Sequence, residues 1–235
     1  ARVVDQLSGC TVDEAALVVR QLAALHAGSW RNDQLATTDW LQGAIASFTD
    51  ITANFRATVE AFPATFGDLV PESDLRQAAK LNAHLAEWNS LISTPLCLWH
   101  SDIRADNLLF DARGGRTPVA LLDWQGVGYG YGPIDVAYFL STSLTTEDRR
   151  AAERDLVGLY QTELAAHGVD DYPADRAWDD YRVLAIHPLQ IGVFGAGAVR
   201  RSERGDRLWK QWISRAAQHT RDLDSFSALR DRRPL

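Results

Sequence analysis

Two short apolar runs near the middle of the 235-residue chain constrain its fold more than any other feature. Leu108–Phe110 and Pro118–Leu122 are separated by Asp111–Thr117, a link rich in Gly, Asp and Arg that predicts a hairpin turn. An antiparallel hairpin places the entry of its first strand beside the exit of its second. We therefore expect the loop before Leu108 and the residue after Leu122 to lie together.

Three polar side chains occupy these two positions. Asp102 and Asn107 lie on the entering loop, and Asp123 follows the second strand. Magnesium takes hard oxygen ligands, usually one or two carboxylates completed by water and phosphate, and Asn107 and Asp123 can supply such ligands. Asp102 can orient an attacking hydroxyl or accept its proton. The set suits phosphoryl transfer, which needs mainly positioning and charge neutralisation, although Asp and Asn are also common as simple turn residues.

The spacing of these residues resembles the catalytic loop of protein kinases, H-R-D-L-x-x-x-x-N, followed by D-F-G on the next strand. It is more similar to the aminoglycoside phosphotransferase and choline kinase-like family, whose pattern is H-G-D-x-x-x-x-N-x-L, then D-[WF], a Gly-rich segment and an Asp before a helix. The resemblance extends from about Val3 into the helical tail and implies ATP and Mg²⁺ as cofactors. The matching residues are His100-Ser101-Asp102, Asn107-Leu108-Leu109, Asp123-Trp124, Asp135 and, upstream, Leu25-His26-Ala27.

Four further residues take roles from this resemblance. His100 and Asp135 would brace the catalytic loop, and Asp135 could also cap the helix that follows it. Arg104 stands where protein kinases often carry a lysine that contacts the γ-phosphate, so it would bind the nucleotide or else form an ion pair with Asp106. Ser101 replaces the family's Gly and would be strained if the loop needs a positive φ.

Composition excludes several classes of protein. The net charge of −7 argues against a nucleic-acid partner, whose affinity comes from cationic contacts to phosphates. Two cysteines, Cys10 and Cys97, make no disulfide framework and predict buried, reduced thiols in a cytoplasmic protein. No signal peptide is evident at the N-terminus. The longest uncharged run is Val183–Val199, which predicts a buried helix pair with a Pro/Gly break rather than a membrane span.

Nothing in the sequence indicates the oligomeric state.

Methionine is absent and lysine is rare. The two lysines, Lys80 and Lys210, lie neither in a strand pattern nor after a Gly-rich loop. Kinases hold ATP phosphates with a lysine on a strand of the small lobe, under such a loop. We therefore expect a mainly helical α+β chain that is the large, C-terminal lobe of a kinase-like protein, with the small N-terminal lobe missing. Its parts would be a helical region over 1–95, the catalytic loop and hairpin over 96–140, and a helical acceptor-side region over 141–235.

Hydrophobic periodicity predicts helices on both sides of the hairpin. Thr11-x-x-Glu14 is a capping-box signature that starts the first helix. Thr94-Pro95 should end the helical region before the hairpin. Further helices are expected around Trp40–Phe62 and over Ser73–Ser90, Glu147–His167, Ala174–Ile186 and Asp206–Leu229.

Three other features have both a structural and a functional interpretation. His26 lies on the apolar face of the first helix, where it is either a core histidine with a backbone partner or a residue that belongs to the acceptor site or braces a loop. Gly126–Pro133 matches no phosphate-loop pattern, and we expect a bent segment that lines the acceptor side. An acidic cluster is either a solvated face or the mouth of a site for a cationic acceptor, and nearby arginines could pair with it. The acidic residues are Asp170, Asp171, Asp175, Asp179 and Asp180, and the arginines are Arg200, Arg201, Arg204 and Arg207.

Together these observations predict an ATP-dependent phosphotransferase that moves the γ-phosphoryl group to a hydroxyl of a small molecule. Aminoglycoside-, choline- and steroid-like acceptors all remain open. The alternative is a catalytically silent kinase-like binding domain, to which the missing small lobe and Ser101 point. A metal-dependent hydrolase built on His100, Asp102, Asp123 and Asp135 would lack a second histidine at ligand spacing.

Overall fold

Helices make up most of this chain and surround two small antiparallel sheets, as predicted for a mainly helical kinase-like lobe. The computed structural model describes residues 1–41, 43–92 and 96–232, and for 43–54 it describes only the backbone. The strands are β1 (Arg2–Val3), β2 (Cys97–Trp99), β3 (Leu108–Ala112), β4 (Thr117–Leu121) and β5 (Gly128–Gly130). The α-helices are α1 (Val12–Ala27), α2 (Asp33–Ala36), α3 (Gly43–Phe66), α4 (Glu72–Ala79), α5 (Leu81–Ile92), α6 (Pro133–Ser143), α7 (Thr146–Ala166), α8 (Ala174–Leu184), α9 (Ile186–Ala198), α10 (Glu203–Asp222) and α11 (Ser225–Asp231).

The predicted hairpin is formed by β3 and β4. Leu108 pairs with Leu121 in antiparallel register, so the entry of β3 and the exit of β4 lie at the same end. β1 adds to β3 as a third strand, with Val3 opposite Leu109. The strand assignment from the two apolar runs is therefore confirmed, and the sheet also includes the beginning of the chain.

A second sheet was not expected from the sequence. Gly126–Pro133, predicted to be a bent loop, contains β5, which pairs antiparallel with β2. Glycine allows the chain to pack tightly here, because a Cβ on Gly132 would overlap the sulfur of Cys97. Because His100 directly follows β2, this strand pairing also fixes where the catalytic loop begins.

Helix α6 is the central element of the structure. All eleven of its residues are buried, including the polar Asp135, Ser141, Thr142 and Ser143. It packs against α1, α7, α8, α9 and α10. Asp135 and Tyr138 lie three residues apart and therefore share one face, which contacts the chain just after β2. This buried helix thus presents two polar side chains to the catalytic loop.

Two of the predicted helices are interrupted. The helix expected over Ser73–Ser90 consists of α4 and α5, which are separated at Lys80. The helix expected over Asp206–Leu229 is split into α10 and α11 at Asp224, which has a φ of +47°. Neither break contains Gly or Pro, so hydrophobic periodicity alone did not reveal it.

The other helix predictions are confirmed to within a few residues. Thr11 and Glu14 form the reciprocal capping box that starts α1. The predicted helix pair in Val183–Val199 is the junction of α8 and α9, but its break is at Ala185. Pro188 lies in the first turn of α9, where a missing N–H costs nothing. Thr94-Pro95 lies outside the described residues.

Both cysteines are buried free thiols, as predicted. Burial raises the pKa of Cys10 to about 12, so the thiol stays protonated at neutral pH. In the parts of the chain that the structure covers, no helix combines the length and apolar character needed to cross a lipid bilayer.

Candidate active site

A buried carboxylate holds the start of the catalytic loop. The backbone N–H groups of His100 and Ser101 donate to the two oxygens of Asp135, at 2.6 and 3.0 Å. The helix-cap interpretation of Asp135 is wrong, because Gly132 is the N-cap of α6 and Asp135 lies within its first turn. Its charge is directed at the loop backbone instead, where two N–H donors satisfy it.

His26 connects this carboxylate to α7. Its ring is fully buried, with Nδ1 2.7 Å from the hydroxyl of Tyr160 and Nε2 3.4 Å from Asp135. The expected core position of His26 is confirmed, but the expected backbone partner is wrong, because the ring nitrogens face the side chains of Tyr160 and Asp135. The alternative role in the acceptor site or as a loop brace stays a prediction. Tyr160, His26 and Asp135 therefore link α7, α1 and α6 to the catalytic loop.

Ser101 adopts a positive φ, a backbone conformation that is strained for serine and not for the glycine that it replaces. Its φ is +70°, in the left-handed region, which costs an L-residue about 1–2 kcal/mol. The side chain compensates, because Oγ donates to the carbonyl of Gly126 at 2.7 Å. A Cβ on Gly126 would overlap that same Oγ, so this glycine is required for the two turns to approach.

His100 joins the two loops that carry the candidate catalytic and metal-binding residues. The Asp102 N–H donates to Nδ1 at 3.4 Å, and Nε2 lies 2.8 Å from the carbonyl of Leu122. With Nδ1 as acceptor, Nε2 carries the proton and donates it to Leu122. The indole of Trp124 covers the imidazole, with ring centroids 4.7 Å apart. The buried ring thus fixes the Asp102 loop against the turn that contains Asp123.

Asn107 makes the second connection between these loops. Its side-chain Nδ2 donates to the carbonyl of Asp102 at 2.8 Å and to the Asp102 carboxylate at 3.0 Å. Its backbone carbonyl accepts the N–H of Leu122 at 2.9 Å, directly before Asp123. The amide oxygen accepts no hydrogen bond from the described residues, so it is the atom of Asn107 that could bind a cation.

Asp123 lies at the exit of β4, with a left-handed backbone (φ +60°, ψ +66°) and an exposed side chain. Its carboxylate and the Asn107 amide oxygen are hard donors that suit magnesium, which takes few protein ligands and completes its shell with water and phosphate. Within the described ranges, no group of three or more His, Cys, Asp and Glu residues has metal-binding geometry. The carboxylate of Asp123 and the amide oxygen of Asn107 are two hard oxygen donors, which fit an ion that completes its shell with water and phosphate.

Arg104 forms ion pairs with two carboxylates. Its guanidinium lies 3.3 Å from Asp102 and 2.8 Å from Asp106. Burial disfavours its charge, but Asp102 and Asp106 outweigh this effect and raise the pKa of Arg104. Of the two interpretations from the sequence, the structure contains the ion pair with Asp106, extended to Asp102. The contact of Arg104 with a nucleotide stays a prediction.

Tyr138 was missed by the sequence analysis. Its hydroxyl donates to Asp102 Oδ1 at 2.9 Å, from the same face of α6 as Asp135. The side chain is buried, and burial raises its pKa well above the ordinary value, so the phenol keeps its proton. The only sequence signal was its i+3 spacing from Asp135.

Gln6 was also missed. Its backbone N–H donates to Asp106 Oδ1 at 2.8 Å, while the Asp106 N–H donates to Gln6 Oε1 at 3.3 Å. The Gln6 amide also donates to the carbonyl of Thr142 at 2.8 Å. The buried Gln6 therefore ties the chain before α1 to both the catalytic loop and α6. No local pattern indicates such a contact across 100 residues.

Among the residues that the structure describes, no ion pair joins the acidic cluster to the basic one, contrary to one expectation. Asp180 is fully buried and accepts hydrogen bonds from Tyr131 and Tyr172, at 2.5 and 2.9 Å, so it belongs to no solvated face. Asp171 pairs with Arg31 at 2.6 Å. The partners of the arginines are Asp68 and Asp206 for Arg201, Asp5 for Arg204, and Glu203 for Arg207.

Comparison with known proteins identifies the family. The sequence model of the ecdysteroid kinase-like family matches residues 2–169, more than half of the chain. The protein belongs to the ecdysteroid kinase-like family. The matched range includes β1, the catalytic loop, the hairpin and α6. Membership supports a kinase-like, phosphotransferase-type protein broadly, and the closer likeness to aminoglycoside phosphotransferases and choline kinases stays a prediction.

A curated relative is consistent with this assignment. An uncharacterized kinase-like protein of Caenorhabditis elegans is 30% identical to this ecdysteroid kinase-like chain over 79 residues. The aligned region is 34% of this chain and 21% of the relative. The chain thus spans about a fifth of the length of the relative that it matches.

Proposed function

We propose that this ecdysteroid kinase-like protein transfers the γ-phosphoryl group of ATP to a hydroxyl of a small molecule. The observation that carries the proposal is the cluster at the open end of the hairpin. Asn107 contacts the Asp102 side chain there, and its backbone carbonyl accepts the N–H of Leu122, the residue directly before Asp123. The family match supports the same class of reaction.

Asp102 is the proposed catalytic residue. Its side chain is 31% exposed, so an acceptor hydroxyl can reach it. Its carboxylate would orient that hydroxyl for in-line attack and accept its proton. Asp135 and His100 would act through the backbone, by keeping the loop in the conformation that presents Asp102.

Asn107 and Asp123 are the proposed magnesium ligands. They would hold the ion against the phosphates of ATP, where its charge offsets the negative charge of the transferring group. Arg104 could add a second positive charge if it exchanges its ion pair with Asp106 for a phosphate. The Arg104 side chain is long and flexible, and it already contacts Asp102, so it could make this exchange.

The acceptor is proposed as a small-molecule alcohol. The family description names ecdysteroid kinases, so a polyhydroxylated steroid is the first acceptor to test. Aminoglycosides and choline are the next two, from the sequence resemblance. One of the acidic residues that could attract a cationic acceptor, Asp180, is buried and pairs with Arg232. This burial weakens the case for aminoglycosides and choline as acceptors.

The test is magnesium-dependent ADP release, with each acceptor, together with calorimetry of ATP binding. Both should be measured on this 235-residue chain and on any longer natural form of it. Asp123→Asn should abolish magnesium-dependent ATP binding. Asp111→Asn is the matched control, because Asp111 is also an exposed aspartate with positive φ, at the other end of the same hairpin.

A silent binding domain is the alternative outcome. If neither form binds ATP in the presence of magnesium, or if Asp123→Asn binds it as well as the parent protein, the phosphotransferase proposal is wrong. Binding without turnover on any of the three acceptor classes would leave the nucleotide site intact and would reject those acceptors.

A further inference from the structure

A buried tyrosine on α6 contacts the proposed catalytic carboxylate. The Tyr138 hydroxyl donates to Asp102 Oδ1 at 2.9 Å, and the Asn107 amide donates to Asp102 Oδ2 at 3.0 Å. Each carboxylate oxygen is therefore held by a different donor. We propose that Tyr138 is a positioning residue that fixes the orientation of Asp102 for reaction. The inference rests on the proposed function of Asp102.

Tyr138 is suited to this task because it cannot easily move. Its side chain is 2% exposed and lies on the central helix α6. Its ring packs against His187 and Trp212, with centroid distances of 5.6 and 5.5 Å. Packing of the ring fixes the position of the phenol oxygen, and burial keeps the proton on that oxygen.

Arg104 supplies the reason why such a donor matters. Its guanidinium is 3.3 Å from Asp102 Oδ1 and 3.4 Å from Oδ2, with no strong preference for either oxygen. Without Tyr138, the Asp102 side chain could rotate to improve its ion pair with Arg104. Such a rotation would move the carboxylate away from the acceptor hydroxyl. The Asn107 amide would still donate to the backbone carbonyl of Asp102 at 2.8 Å, which would keep this candidate metal ligand in place.

This difference predicts a specific kinetic signature for Tyr138→Phe. We expect kcat to fall roughly 10- to 100-fold, as for a small misplacement of a catalytic group, with an unchanged KM for ATP. The matched control is Tyr181→Phe. Tyr181 is equally buried and donates to the carboxylate of Glu153 at 3.0 Å, away from the hairpin. This control should lose comparable stability in urea unfolding and retain its kcat.

A double-mutant cycle separates positioning from general packing. In an Asp102→Asn background the oriented carboxylate is absent, so adding Tyr138→Phe should lower the residual turnover by less than twofold. The inference is overturned if Tyr138→Phe keeps its kcat within twofold, if its effect persists in full in the Asp102→Asn background, or if Tyr181→Phe loses as much turnover. Parent-like turnover of the Asp102→Asn single variant would instead reject the proposed function itself.

Discussion

Two tyrosine–carboxylate pairs in this protein use nearly the same chemistry in different surroundings. Tyr138 donates to Asp102 at 2.9 Å, and Tyr181 donates to Glu153 at 3.0 Å. Both tyrosines are 2% exposed. The Asp102 side chain is 31% exposed, whereas that of Glu153 is 9% exposed. The contact is the same, but only one carboxylate can meet a substrate.

The neighbours of the two carboxylates extend the comparison. Glu153 is enclosed between α7, α8 and α10, where the buried Arg149 donates to it at 2.5 Å and His219 lies 3.5 Å away. Arg149 also pairs with Asp222. We call these four residues with Tyr181 the closed cluster. Each of its charges has a partner, so its role is to join three helices.

Asp102 instead lies on a loop between β2 and β3, in contact with Asn107, one of the two candidate metal ligands. Its arginine partner, Arg104, is 22% exposed, whereas Arg149 in the closed cluster is 2% exposed. The buried Tyr138 can orient the Asp102 carboxylate, and a substrate can reach the same carboxylate from the solvent. A buried tyrosine donor combined with an exposed carboxylate distinguishes the pair that a substrate can reach from the pair that it cannot, whereas residue type alone does not.

The largest expected effect is on turnover at the open pair. Asp102→Asn should lower kcat by about 10³-fold, because the loss of a general base typically costs 10²–10⁴-fold. The free energy of unfolding should change by less than about 1 kcal/mol, since the side chain is partly exposed. Asp106→Asn is the control, because Asp106 has the same 31% exposure and also pairs with Arg104. Equal losses for both variants would mean that the ion pairs, not the catalytic group, control the rate.

The closed cluster should show the opposite behaviour. Glu153→Gln leaves the buried Arg149 with one carboxylate instead of two, and breaking a buried ion pair costs about 3–5 kcal/mol. Urea unfolding measures this loss, while the kcat of the folded protein should be unchanged. Asp155→Asn, on an exposed position of the same helix, should stay within about 0.5 kcal/mol of the parent. A loss of turnover in Glu153→Gln at full folding would contradict the division between the two pairs.

Acid should weaken the structure through buried histidines. Burial lowers the pKa of His219 and of His187 from 6.5 to about 4, because the charged imidazolium is poorly solvated there. Between pH 6.5 and pH 4 the unfolded chain therefore binds protons that the folded chain does not, so the free energy of unfolding falls as the pH falls. The loss should reach roughly 2 kcal/mol per histidine between pH 7.5 and pH 5.

Urea unfolding of variants at pH 7.5 and pH 5 tests the assignment to these rings. His219→Gln should remove about half of the pH dependence. His167→Gln, at an exposed position, should leave the pH dependence unchanged. A parent protein of equal stability at the two pH values would show that neither buried histidine resists protonation as expected.

The elements that sequence analysis predicted well are local ones. The hairpin was predictable because two apolar runs and a turn lie within 15 residues, and the spacing of Asp102, Asn107 and Asp123 followed from it. The breaks at Lys80 and Asp224 were not predicted, because no Gly or Pro marks them in the sequence.

The supports of the site depend on contacts between distant residues. Tyr138 meets Asp102 across 36 residues and Gln6 meets Asp106 across 100, so no window of sequence contains either pair. Asp135 was identified only through the family resemblance, and its i+3 neighbour could have been inferred from it. Burial of the closed cluster was unpredictable for the same reason, since its members come from three helices.

The smallest expected effect concerns Ser101, whose backbone strain and hydrogen bond act in opposite directions. Ser101→Ala keeps the φ of +70° and loses the bond from Oγ to Gly126, so it should destabilise the protein by about 1 kcal/mol. Ser101→Gly loses the same bond but relieves a left-handed strain of about 1–2 kcal/mol, so its stability should match the parent within about 0.5 kcal/mol. Urea unfolding distinguishes the two variants. If Gly and Ala destabilise equally, the strain at Ser101 is negligible, and the departure from the Gly of related kinases has no energetic cost for this loop.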